Sequence, residues 1–168
     1  MRARLVVVLG IVLLLCGCAP QGSGIPAIVP PAAPIVYAGS EPGDDNTWIR
    51  PAIVRLGNFE PGDTAEYSIE VHNGKSVQSM YHIAYRVPDR TYEGFVPLDA
   101  AGVRFVTIEP MALVLGPRET RMVLITVTVP KYETPPVAWE FWISVVDTEA
   151  TGLIQHELCS RWTVMMKE

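Results

Sequence analysis

The chain has 168 residues, 49% hydrophobic and only 18% charged, with a formal charge of −5. That length fits one domain plus appendages. The acidic balance, with no basic stripe anywhere, excludes a nucleic-acid binder, which needs clustered Lys and Arg.

Arg2 and Arg4 precede an apolar run of eleven residues, Leu5 to Leu15, followed by Cys16-Gly17-Cys18. A charged start, an apolar centre of this length and small residues at its end have the form of a secretory signal. At about 1.5 Å per residue the run covers roughly 16 Å, about half the hydrocarbon thickness of a bilayer. It is too short to span, so removal is expected rather than retention.

Leu15-Cys16-Gly17-Cys18 resembles the lipobox of bacterial lipoproteins, an aliphatic residue and two small ones before a cysteine. Cys16 departs from the usual Ala, Ser or Thr but is small enough to fit. The resemblance implies that residues 1–17 are cut away and that Cys18 carries the lipid. The alternative is an ordinary secretory signal with a coincidental cysteine. Each buried methylene contributes about 0.8 kcal/mol, and two or more chains hold a protein stably on a membrane. The resemblance further implies an extracytoplasmic location, at the outer membrane if the cell is Gram-negative. Cys159 is then the one cysteine left without lipid, and no internal disulfide is expected.

Residues 18–45 read as the lipidated cysteine and a tether: six of residues 19–45 are Pro and four are Gly. Such a composition favours extended polyproline conformation and buries too little to fold alone. Fully extended at about 3.1 Å per residue it reaches roughly 80 Å.

From residue 46 to 168 the pattern changes to period two. Between Thr64 and His72, Ala65, Tyr67, Ile69 and Val71 share one face while Thr64, Glu66, Ser68 and Glu70 share the other. This is the alternation of a half-buried strand. Glu60-Pro61-Gly62-Asp63 and Asn73-Gly74-Lys75 bound it with turn chemistry. Further strands are expected at about 48–56, 78–87, 103–109, 121–129, 138–147 and 153–165. About seven short strands between Gly and Pro turns predict an all-β, antiparallel, Ig-like sandwich of two sheets.

Phe105 to Pro110, then Leu113 to Thr120, then Val123 to Pro130 resemble the middle of Ig-like domains related to major sperm protein and to the N-terminal domain of pilus chaperones. Gly57 to Asp63 followed by Tyr67 to Asn73 fits their opening. The resemblance covers roughly residues 50–147. It implies that fold and a role in binding or scaffolding; the chaperones' carboxylate-gripping Arg and Lys find no counterpart here, so chaperone function is not carried over.

No Gly-x-Ser-x-Gly elbow, His-Glu-x-x-His pair or phosphate-cradling Gly loop occurs, and neither an enzyme nor a cofactor is expected. Met80 and His82, two apart on a strand, face the same side and with His72 or His156 would make a soft copper site, although two ligands alone set no geometry. In residues 139–145, Trp139, Phe141, Ile143 and Val145 alternate inward and Trp142 points outward. Trp142 is the candidate contact residue, because aromatic side chains anchor interfaces and stack on sugars. The competing reading has it covered by the tether or by long side chains of neighbouring strands. Glu66, Glu70, Arg86, Arg118 and Arg121 read as solvated faces, and Arg161 and Lys167 as charges blunting an edge strand.

Together these expectations describe a lipid-anchored envelope protein that binds or scaffolds an envelope protein or glycan. The alternatives are a carbohydrate or peptidoglycan binder using exposed aromatics, and a periplasmic copper carrier.

Overall fold

A computed structural model describes residues 32–37, 43, 45–131, 136–150 and 157–167. Cys18, the lipobox and His156 lie outside the described residues. No helix among the described residues is long and apolar enough to cross a membrane.

The strands are β1 (Ala32–Tyr37), β2 (Trp48–Arg50), β3 (Ile53–Phe59), β4 (Thr64–His72), β5 (Ser79–Arg86), β6 (Val96–Pro97), β7 (Val106–Glu109), β8 (Ala112–Leu115), β9 (Thr120–Thr128), β10 (Ala138–Asp147) and β11 (Glu157–Met166). They form an all-β sandwich. One sheet of seven strands runs β1-β3-β11-β10-β5-β8, with β6 beside β10; the other, of four, runs β2-β4-β9-β7. Pairing is antiparallel except between β11 and β3 and between β10 and β6.

The period-two pattern does the work of closing the sandwich. On β4 and β9, Ile69, Val71, Val123, Ile125 and Val127 are buried against β10 and β11, whose Trp139, Phe141, Ile143, Trp162 and Val164 are fully enclosed. Phe141 stacks on Trp162 at 5.6 Å and on Tyr85 at 5.7 Å. Each large apolar side chain buried this way contributes about 1.5–3 kcal/mol. The Trp162 indole donates to Ser160 Oγ at 3.1 Å, and that hydroxyl donates to Pro51 O at 2.7 Å.

Four local features differ from the sequence reading, each for a physical reason. The strand expected over 48–56 is two strands, because Pro51 has no N–H to continue a ladder; β2 pairs with β4 in one sheet and β3 with β11 in the other. Residues 100–105 form a 3-10 helix rather than the start of a strand. Asp99 caps it, accepting from Ala101 N at 2.9 Å and Gly102 N at 3.1 Å, the hydrogen bonding that favours Asp at this position. Within the segment read as tether, β1 pairs antiparallel with β3, with Ile35 opposite Arg55 and Tyr37 opposite Ile53. Finally, β11 lies between β10 and β3, so Arg161 and Lys167 guard no edge; Lys167 instead pairs with Glu60 at 2.5 Å.

One end of the sandwich is organised by Asn73, which is fully buried. Its Nδ2 donates to Val77 O, Leu115 O and Gly116 O at 2.8–3.2 Å, and its Oδ1 accepts from Lys75 N and from the Tyr81 hydroxyl. Gly74 follows because a Cβ there would lie 2.1 Å from the backbone of Asn46. The turn signal in the sequence therefore also marks a close crossing of two chain segments.

Candidate functional site

The outer face of the larger sheet carries the residue singled out in the sequence. Trp142 sits on β10 directly between Arg161 of β11 and Arg86 of β5. Their guanidiniums lie 5.6 Å and 5.9 Å from its ring centroid, one from each flanking strand, within cation–π range. The Trp142 indole N–H donates to Glu140 Oε1 at 2.8 Å. The ring is only partly exposed, covered by the long side chains of neighbouring strands. A sugar stacking on it would have to displace an arginine.

Glu140 is the unexpected member of this cluster. It points outward from the sheet yet has no exposed surface, because the segment after β5 folds over it. Arg161 Nε donates to its Oε1 at 2.5 Å and Tyr92 N to its Oε2 at 2.9 Å. Arg161 in turn donates to Arg90 O at 3.1 Å, and its guanidinium lies 3.8 Å from the Tyr92 ring centroid. The buried charge is thus paired and hydrogen-bonded on both oxygens, as burial requires. Arg86 continues the network to Glu157 and, at 3.0 Å, to Asp89. A hydrogen bond from Ser144, helped by Arg86, holds the Glu157 carboxyl below the usual range against the opposing effect of burial. The cluster latches a loop to a sheet, and every carboxylate named in it is occupied by donors.

Met80 and His82 do share the outer face of β5, and both are exposed. His72 is on β4 in the other sheet, buried, stacked on Trp48 at 4.9 Å and hydrogen-bonded through Nδ1 to Thr120 Oγ1 at 2.8 Å. The fold therefore keeps His72 from joining Met80 and His82. Among the described residues no group of three or more His, Cys, Asp or Glu could hold a metal ion. Cys159 is a free, partly buried thiol, and burial together with the nearby Glu157 carboxylate pushes its pKa up. That works against a thiolate nucleophile.

A cavity of about 320 Å³ opens at the Asn73 end, between Tyr81, Val145 and Leu158 on one side and Asn46 and Thr47 on the other. Its charged lining is Asp45 and the ion pair of Lys75 with Asp147.

The remaining surface feature is an edge. Among the described residues β8 pairs only with β5, so one side of it is open. No charged residue lies between Met111 and Gly116. Met80 and Val114 stand opposite each other with 42% and 43% exposure, and Met111 beside them has 56%. Edge strands usually carry charge or cover that prevents pairing with other chains; β8 carries no charge, and none of the described residues pairs with its outer side. The sequence reading took Leu113 to Leu115 as an aliphatic segment without placing it in a sheet. Alternation of exposed Ala112 and Val114 with buried Leu113 and Leu115 was its only local signal.

No family model matches the chain, and no curated protein matches it. Among solved structures it is similar to the ASH/PapD-like domain 7 of human CEP192, with TM-score 0.56 and 18% identity over 82% of this chain and 96% of that one. It is also similar to the periplasmic chaperone SfaE, with TM-score 0.52 and 11% identity over 73% of this chain and 59% of that one. The chaperone CsuC, solved with the tip adhesion subunit CsuE of Acinetobacter baumannii Csu pili, matches at TM-score 0.50 and 11% identity, over 73% and 57%. The fold is thus PapD-like, as the pilus-chaperone resemblance implied, and the chain spans less than two thirds of the chaperone chains.

Proposed function

We propose that this chain is a lipid-anchored binding or scaffolding module of the cell envelope that carries no catalytic step. Cys18 bears the lipid, the Pro-rich segment sets the reach, and the sandwich makes contact through the open edge of its larger sheet. The observation that carries the reading is that edge: β8 is uncharged, unpaired on one side among the described residues and bordered by exposed Met80, Met111 and Val114. The charged residues of the Trp142 face are, by contrast, paired with one another. Strand addition to an exposed edge is a recurring way for such folds to hold extended segments. One of the similar structures is a periplasmic chaperone and another is a chaperone complex with a tip adhesion subunit, which supports a protein partner in an extracytoplasmic setting.

A photo-reactive residue at position 114 of the full chain, irradiated in intact envelopes, should give a discrete protein adduct. The same residue at Glu66, exposed on the other sheet, should give none. Equal labelling at both positions, or adducts only to glycan, would contradict the reading.

A further inference from the structure

The turn after β4 carries the pair Asn73-Gly74, and the fold calls for both residues. Asn73 is fully buried, and its Nδ2 donates to three carbonyls, two of which, Leu115 O and Gly116 O, hold the end of β8. Gly74 is the residue that fits beside Asn46, whose backbone carbon would lie 2.1 Å from any Cβ at 74. An asparagine followed by glycine is also a chemically reactive pair. Without a Cβ, nothing shields the glycine nitrogen from the carbonyl carbon of the asparagine side chain. The chain has two other asparagines, Asn46 and Asn58, both exposed and followed by Thr47 and Phe59, whose side chains crowd that approach.

We propose that Asn73 is a site of intramolecular deamidation, with water as the co-reactant, which the folded end of the sandwich holds shut. Gly74 N gives up its proton and bonds to Asn73 Cγ. The side-chain nitrogen takes up a proton and leaves as ammonia, and a succinimide remains. Water opens that ring, its hydroxyl adding to either carbonyl carbon and its proton returning to nitrogen, which yields aspartate or isoaspartate at 73. No oxidant or reductant is needed.

In the closed state each reacting group is engaged elsewhere. Gly74 N donates to Thr47 Oγ1 at 3.2 Å, and Gly74 O accepts from Arg118. Asn73 Oδ1 accepts from Lys75 N at 3.1 Å and from the Tyr81 hydroxyl at 2.9 Å. Freeing Gly74 N requires residues 45–47 to lift away. That segment is polar, Asp45-Asn46-Thr47; it borders the cavity of about 320 Å³ and contributes nothing to the apolar core. Such a segment opens ahead of the domain as a whole.

The product does not close again. A carboxylate donates no N–H, and the three carbonyl oxygens that Nδ2 had served repel it. Leu115 and Gly116 are released, and β8 loses its fastening. One opening of this end is thereby recorded as a permanent covalent change. The chemistry depends neither on β8 being the contact edge nor on a lipid at Cys18.

The test incubates the full chain at mildly alkaline pH, in native buffer and in denaturing urea, and measures aspartate and isoaspartate at positions 46, 58 and 73 by peptide mass spectrometry. In urea, position 73 should react well ahead of the other two. In native buffer it should react at least about 100-fold more slowly than in urea, the factor left when this end is open for about a hundredth of the time. Urea below the global transition should already raise the native rate, with a shallow slope because local opening exposes little surface. Thr47→Val keeps the shape but removes the acceptor for Gly74 N, and should speed the reaction roughly three- to tenfold, the worth of one hydrogen bond. Thr47→Ser keeps the hydroxyl and should match the wild type; circular dichroism checks both folds. A native chain that reacts as fast as the unfolded one would overturn the proposal. So would a rate that rises only with global unfolding, or a folded Thr47→Val chain no faster than the wild type. For the consequence, Asn73→Asp should lose hydrogen-exchange protection at the β8 amides while β4 and β9 keep theirs, and a chain that fails to fold is the stronger form of that result. Unchanged protection at β8 would overturn its release.

Discussion

At the scale of single residues, Glu140 shows how far polarity alone misleads. An outward position on a strand between aromatic residues reads as solvated, yet the loop after β5 buries this carboxylate completely and uses it as its fastening. Replacing Glu140 with Ala leaves the Arg161 guanidinium and the Trp142 and Tyr92 N–H groups without their acceptor. Breaking a fully buried pair costs about 3–5 kcal/mol. Because Arg161 retains 25% exposure, the expected loss is nearer 2–3 kcal/mol by the same reasoning. Urea denaturation should show a lower midpoint with an unchanged slope, and Trp142 emission should shift to the red. A loss under about 0.5 kcal/mol, the range of ordinary surface substitutions, would mean that the cluster does not fasten the loop. Trp142 itself was legible as outward, but not its enclosure: that depends on Arg86 and Arg161, 56 residues before it and 19 after it in sequence, meeting it in register.

At the scale of elements, the strands with strict alternation were the readable ones. β4 runs over Thr64–His72, the expected span, and β9 and β10 match within a residue. What escaped was set by contacts outside the local pattern. β1 exists because β3 offers it an edge, in a segment whose prolines argue against any structure of its own. β7 starts late because Asp99 caps a helix turn whose sequence also suits a strand. The split at Pro51 was available from the missing N–H, but its consequence, a move between sheets, needed the partners. The role of β1 has a direct test. A chain beginning at residue 43 should lose hydrogen-exchange protection at the β3 amides that face β1, while β4 and β9 amides keep theirs, because local opening follows local contacts. Unchanged protection across β3 would mean that β1 does not cover it.

At the scale of the whole molecule, the two-sheet core accounts for the stability of the domain, and the charged face above Trp142 binds the chain to itself. The uncharged edge at β8 is the surface we propose for another molecule. In the proposed reading the segment ahead of β1, residues 19–31, would reach roughly 40 Å if fully extended at the polyproline rise, and that reach would let the edge meet partners away from a membrane. All of this depends on anchoring at Cys18. The most direct measurement is the intact mass and membrane partition of the expressed full chain beside a Cys18→Ala variant. The account predicts a wild-type protein lacking residues 1–17, heavier by its acyl chains and found with the membranes, and a variant that is soluble or unprocessed. A wild-type protein that is soluble and carries no acyl mass would contradict it.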